Sequence, residues 1–289
     1  MKIKILVTGS NGQLGFEIKK SSSLYTEFDF FFTDKITLDI TKFDVVNDYI
    51  IDNQINVILN CAAYTDVNKA ENDTELADSI NHRSVENLAY VSKKNNIKLI
   101  HISTDYVFNG QNYKPYLESD QVEPNSIYGE SKANGEKAFI KISPKNSIII
   151  RTSWVYSSHG NNFVKSILRL AKERKELNIV YDQVGTPTYA NDLAKVILDI
   201  INKINNDKVE IYNYSNEGVL SWYDFAKNIM EITNTDCKIL PIESKDYPMS
   251  DIRPFYSLLN KAKIKNTFDL DIPYYKDSLK ECLKLMGDN

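Results

Sequence analysis

Near the N-terminus, Thr8-Gly9-Ser10-Asn11-Gly12-Gln13-Leu14-Gly15 sets three glycines at G-x-x-G-x-x-G spacing directly behind a β-branched apolar run. Glycine permits a tight turn and brings backbone N–H groups against a pyrophosphate. A following helix adds the favourable dipole of its N-terminus. Without a ligand the same residues would make only a tight strand–helix turn. Asp34 lies 19 residues after Gly15, at the end of the next apolar run. A carboxylate there accepts hydrogen bonds from an adenosine ribose, or else serves as a solvated turn residue. Lys35 beside it would attract a 2′-phosphate that Asp34 would repel, so NADH and NADPH both stay open.

Tyr128-Gly129-Glu130-Ser131-Lys132 puts a phenol and an ammonium at i and i+4, on one helix face. Tyr90/Lys94 and Tyr223/Lys227 share that spacing and read as ordinary amphipathic faces. Only the Tyr128 pair follows a strand that ends in hydroxyl residues, Ser103-Thr104. This set suits reduction of a carbonyl, in which hydride adds to carbon and negative charge grows on oxygen. Thr104 would orient that oxygen and Tyr128 would protonate it. Lys132 would lower the phenol pKa from about 10 towards neutrality and hold ribose hydroxyls.

These residues need a scaffold, and the first half of the chain supplies its pattern. Apolar runs at Ile3–Val7, Phe28–Phe32, Val57–Leu59, Leu99–Ile102 and Ile148–Ile150 alternate with helical patterns. The helical patterns fall at Leu14–Lys20, Phe43–Ile51, Leu76–Lys94 and Lys132–Ile140. Near-continuous apolar strands separated by helices predict an α/β fold with a doubly wound parallel sheet. The second half is less regular, with helical patterns at Phe163–Glu173, Leu193–Ile204, Trp222–Ile232 and Lys276–Leu285. A soft boundary after Tyr156 divides a dinucleotide-binding domain, 1–156, from a smaller α/β substrate-binding region, 157–289, some of whose segments return to the first.

The chain has 289 residues, 42% hydrophobic and 26% charged, a globular composition with a net charge of −4. No broad positive field exists for nucleic acid or an anionic membrane. Three scattered cysteines without a CxxC and three scattered histidines argue against a disulfide framework or a metal site and suit a cytoplasmic protein. No apolar run approaches the roughly 20 residues of a membrane helix.

With both motifs in hand, the chain resembles the extended short-chain dehydrogenase/reductase family. The runs Asn60–Glu71, Ser103–Phe108, Arg151–Tyr156, Gly160–Phe163, Asp182–Thr188 and Arg253-Pro254 are similar to its dTDP-4-dehydrorhamnose reductase branch. The resemblance implies NAD(P)H-dependent reduction of the C4 ketone of dTDP-4-dehydro-L-rhamnose. It implies cofactor contacts at Gly12, Gln13, Leu14, Asp34, Asp39, Ile40, Ala62, Ala63, Tyr64 and Lys132, beside Gly9, Gly15 and Ser103 of the two motifs. It implies substrate contacts at Thr104, Tyr106, Tyr128, Trp154, Asn162 and Arg253. Some members hold Mg²⁺ at a dimer contact. Glu17 matches one such position, but Ala190-Asn191-Asp192 offers few carboxylates for a hard cation, so no metal site is expected. Monomer and homodimer both remain open. Relatives include epimerases, other ketoreductases and 4,6-dehydratases, and non-catalytic regulatory subunits of methionine adenosyltransferase. A dehydratase commonly has Asp then Glu after the catalytic Thr; here Asp105 is followed by Tyr106.

Overall fold

The computed structural model describes residues 2–247 and 253–287. Strands β1 (Ile3–Thr8), β2 (Phe28–Phe32), β3 (Val57–Asn60), β4 (Lys98–Thr104) and β5 (Ile148–Thr152) join Glu210–Asn213 in one six-stranded sheet. Every pairing in it is parallel. The spatial order is Glu210–Asn213, β5, β4, β3, β1, β2. The winding reverses at β1, because β2 lies on one side of it and β3 on the other. At such a switch point the connecting loops leave in opposite directions and open a crevice at the carboxyl ends of the strands.

Strand alternation divides the apolar residues between the two faces. Ile5, Val7, Leu59, Ile100 and Ile150 pack with Leu193, Ile197 and Ile200. Their neighbours Leu6, Ile58, Leu99 and Ile149 pack on the other face with Val46, Ile50, Leu88 and Phe139. Both faces are therefore buried, as near-continuous apolar strands require. A separate core forms around Tyr156, Ile167, Phe225, Ile229, Leu279 and Leu283. It joins the helices Phe163–Glu173, Trp222–Thr233 and Tyr275–Gly287 to the parallel pair Glu176–Val180 and Lys238–Ile242. The chain also crosses back from this half: Glu210–Asn213 completes the large sheet, and helix Ala190–Ile200 packs on α1 (Gln13–Ser21).

Two helices differ from their sequence patterns. The predicted Leu76–Lys94 helix is broken into Thr74–Asp78, a π-helical turn Ser79–Arg83, and Ser84–Asn95. The widened turn lets the Asn81 side chain bridge Tyr64 and the Ser131 hydroxyl. The predicted Lys132–Ile140 helix spans Ile127–Ile142, capped by the Ser126 hydroxyl, which accepts from the Gly129 N–H at 3.1 Å. Gly129 hides the helix start from propensity. It is required there because a Cβ would run into the Tyr106 carbonyl oxygen.

Candidate active site

The glycine loop leaves β1 at the switch point. Gly9 has φ +64°, and a Cβ on it would lie 2.7 Å from the Ala62 backbone. Only glycine lets the loops after β1 and β3 meet so closely. Gly12 caps α1 without any side-chain hydrogen bond, so no side chain takes up the amides of the first turn. Such amides, with the helix dipole behind them, favour an anion. Asp34 fastens the loop from the end of β2. One oxygen accepts from the Asn11 amide at 2.7 Å, and the other from the backbone N–H groups of Ile36 and Thr37 at 3.0 and 2.9 Å. These bonds, those from Thr37 foremost, hold its carboxyl below the usual range.

The reactive groups converge from β4 and from helix Ile127–Ile142. Thr104 ends β4 and donates its hydroxyl to Asp105 at 2.9 Å, within hydrogen-bonding reach of the Tyr128 phenol. The Tyr106 ring meets Tyr128 edge-on, with centroids 5.5 Å apart. Lys132 is fully buried and donates to the Ile102 carbonyl at 2.6 Å. Burial pulls its ammonium down to about 8, against the upward pull of Glu136. The expected lowering of the Tyr128 phenol is not found. Burial pushes it up to about 12, with Asp105 adding to the rise and Thr104 opposing it. The physical reason is desolvation of the phenol, the largest cause, which outweighs any help from a lysine head that is also bonded to Ile102. Tyr128 is therefore a protonated acid throughout the neutral range, which is the form a proton donor needs.

Burial also raises Asp105 from 3.8 to about 7. The folded protein thus keeps a proton there that the unfolded chain gives up, so this carboxyl costs stability as pH rises from about 4 to 7, and the full cost persists above. Asp105→Asn is expected to raise the Tm by several degrees at pH 8 and by less at pH 5. Thermal melts of both proteins at the two pH values decide this; a pH-independent difference would refute it.

One cavity of about 940 Å³ runs from the glycine loop to these groups. Its lining includes Gly9, Gly12, Gln13, Leu14, Asp34, Asp39 and Ile40, then Ala62 and Ala63, and Ser103, Thr104, Tyr106, Tyr128, Lys132 and Trp154. The Ser103 hydroxyl is buried with no protein partner, a polar group left for a ligand. Gly15 lies beneath the loop, where a Cβ would strike the Gly9 carbonyl and Ser10. Tyr64 is outside the lining and donates its hydroxyl to Asp73. Asn162 caps helix Phe163–Glu173 and donates to the Gln13 side chain at 2.9 Å. It acts on the crevice through Gln13 and lies outside the lining. Arg253 is half-buried and also outside it.

Sequence reading missed Trp222. Its ring stacks on Trp154 at 3.6 Å and 13°, and both line the cavity. Trp154 itself stands at φ +49°, a strained backbone conformation for a bulky residue. The two tryptophans are 68 residues apart, so no local pattern connects them.

Glu17 is fully buried on α1, and one of its oxygens accepts from the Ser157 hydroxyl at 2.6 Å. A carboxylate turned inward does not fit a cation shared across a subunit contact. Among the described residues no group of three or more His, Cys, Asp or Glu is placed to hold a metal. Among those residues, too, no helix is long and apolar enough to cross a membrane.

A doubly wound sheet, a glycine loop at its switch point and a Thr–Tyr–Lys cluster in the same crevice define a Rossmann-type member of the short-chain dehydrogenase/reductase class. A family profile described as "RmlD substrate binding domain" matches residues 2–287. A dTDP-4-dehydrorhamnose reductase of Aggregatibacter actinomycetemcomitans is 40% identical over 286 residues, covering 96% of this chain and 97% of its own. Among solved structures, a dTDP-4-dehydrorhamnose reductase of Clostridium acetobutylicum superposes with a TM-score of 0.93 at 40% identity, over 99% of this chain and 100% of that one. The Bacillus anthracis dTDP-4-dehydrorhamnose reductase, solved in complex with NADP, gives 0.93 at 36% identity over the same shares. The chain belongs to the dTDP-4-dehydrorhamnose reductase family.

Proposed function

We propose that this chain reduces the C4 ketone of dTDP-4-dehydro-L-rhamnose to dTDP-L-rhamnose with a nicotinamide cofactor. The observation that carries this reading is the meeting, in one cavity, of the glycine loop with Thr104, Tyr128 and Lys132. The residues present fit the cofactor: uncapped amides at α1 for the pyrophosphate, Asp34 for the adenosine ribose, and Ser103 and Lys132 towards the nicotinamide end. When bound, a reduced nicotinamide supplies the hydride. Tyr128 protonates the ketone oxygen as charge develops there, Thr104 orients that oxygen, and the Lys132 ammonium steadies the phenolate left behind. The relative solved with NADP and the exposed Lys35 beside Asp34 support NADPH as a donor.

The stacked Trp154 and Trp222 offer a flat apolar wall for the sugar nucleotide. Trp222→Ala is expected to raise the KM for the sugar about fivefold, a loss of about 1 kcal/mol, and to change the KM for NADPH less than twofold. Initial rates with each substrate varied check this; an unchanged sugar KM would remove the wall from the binding site. The reading as a whole is tested by following the absorbance of NADPH, and separately of NADH, with dTDP-4-dehydro-L-rhamnose and a stereoisomeric 4-keto sugar. No oxidation with the first sugar would overturn it. Tight binding to a methionine adenosyltransferase with no turnover would replace it by a regulatory role.

A further inference from the structure

We propose that His101 is a positioning residue that holds the Lys132 ammonium at the floor of the crevice, and that Asn60 and Thr8 in turn hold the His101 ring. The proposal rests on the reading of Thr104, Tyr128 and Lys132 given above and extends the machinery into the sheet. Thr8, Asn60 and His101 sit on one rung of three neighbouring strands, since Thr8 pairs with Asn60 and Asn60 with His101. The Thr8 hydroxyl lies 2.7 Å from the Asn60 side-chain oxygen, and the Asn60 amide nitrogen 3.0 Å from His101 Nδ1. His101 Nε2 is 3.3 Å from Lys132 Nζ. All four side chains are 0–1% exposed.

A row of polar groups through the interior of a parallel sheet is costly unless every member is paired. Here each is paired, and the row ends on the lysine of the site. The proton order follows from the chemistry of the groups. Burial and the neighbouring ammonium hold the His101 ring neutral. A neutral imidazole has one donor and one acceptor, and an ammonium only donates. Nε2 can therefore accept from Lys132 only if Nδ1 carries the proton and gives it to the Asn60 amide oxygen. The Asn60 NH₂ must then face the Thr8 hydroxyl. The structure sets the amide the other way, with its oxygen on the Thr8 hydroxyl and its NH₂ on Nδ1, which puts the ring proton on Nε2 and suits an uncharged lysine; a half-turn of the amide, which leaves its shape unchanged, converts one arrangement into the other. The direction of the row is thus tied to the charge on Lys132.

Removing the acceptor should make the buried ammonium harder to keep. The other ionisable groups around it are few. Glu136, on the same helix, is paired with Arg151 of β5 at 2.6 Å. Burial pushes the Tyr128 phenol up to about 12 and the Asp105 carboxyl up to about 7.

The test compares His101→Phe, which keeps a ring without an acceptor, with His101→Gln, which keeps an amide oxygen near Nε2. Lys132 ionisation is read by NMR of ¹³Cε-labelled lysine in the full-length protein without substrate, with Lys132→Arg to assign the signal. The pH profile of NADPH-dependent turnover is read beside it. His101→Phe is expected to move the Lys132 titration and the alkaline limb of kcat down by about one pH unit or more, and His101→Gln by less than about 0.3. A folded His101→Phe protein with an unmoved titration would overturn the proposal. Should His101→Phe not fold, Asn60→Asp sets a carboxylate against Nδ1 and strengthens Nε2 as an acceptor. The titration must then rise by about half a unit or more; no change or a fall overturns the proposal. The NMR readout needs no sugar, so a wild-type protein inactive on dTDP-4-dehydro-L-rhamnose would defeat the functional reading and leave this measurement intact.

Discussion

Tyr128→Phe is expected to lower kcat on the 4-keto sugar by about 10²- to 10⁴-fold, the usual worth of a positioned general acid. The KM values for sugar and cofactor should change little, because the ring stays packed edge-on against Tyr106. The reason lies in the phenol's protonation. Burial holds Tyr128 at about 12, so it carries its proton at every pH at which the enzyme would work. Lys132, at about 8, is charged below that value and loses its charge above. Turnover should therefore fall as pH rises through about 8, with the loss of the ammonium that steadies the tyrosinate. Stopped-flow single turnovers across pH 6–10 measure both points. A Phe variant retaining more than about a tenth of wild-type kcat would mean that another group delivers the proton.

The second large effect is on stability. Arg151 and Glu136 form an ion pair in which both are nearly inaccessible, 1% and 2% exposed. The guanidinium reaches both carboxylate oxygens, at 2.9 and 2.6 Å, donates to the Glu118 carbonyl at 3.2 Å and lies 5.0 Å from the Phe108 ring centroid. Glu136→Ala leaves that charge buried without its partner, a loss of about 3–5 kcal/mol. For a chain of this size a melting point lower by about 10 °C follows. Glu136→Met combined with Arg151→Met removes both charges and keeps volume, so it should recover most of the loss. Calorimetry on the wild type, the single variant and the double variant measures this. A Glu136→Ala melting point within about 2 °C of wild type would show that water reaches the guanidinium.

The strands at Ile3, Phe28, Val57, Leu99 and Ile148 were legible because a parallel sheet covered on both faces leaves near-continuous apolar runs. The glycine loop was legible because its spacing and its place behind a strand are local. The pairing of Tyr128 with Lys132 was legible for the same reason, since four residues on a helix form one face. Helix starts were less so: Gly129 lowers local propensity at a position that the approach of Tyr106 demands. The break at Ser79–Arg83 was hidden because it serves Asn81, whose partners lie 17 and 50 residues away.

The amino-acid order alone determined the α/β class, the glycine turn behind β1 and the placing of Tyr128 and Lys132 on one helix face, because each is set by contacts within a few residues or by the period of the pattern. Tertiary structure decided the rest. It brought Trp222 onto Trp154, turned Glu17 inward to Ser157, and threaded Thr8, Asn60 and His101 towards Lys132. It also set the acidities of Tyr128 and Lys132, because desolvation depends on what surrounds a group in space and not on its neighbours along the chain.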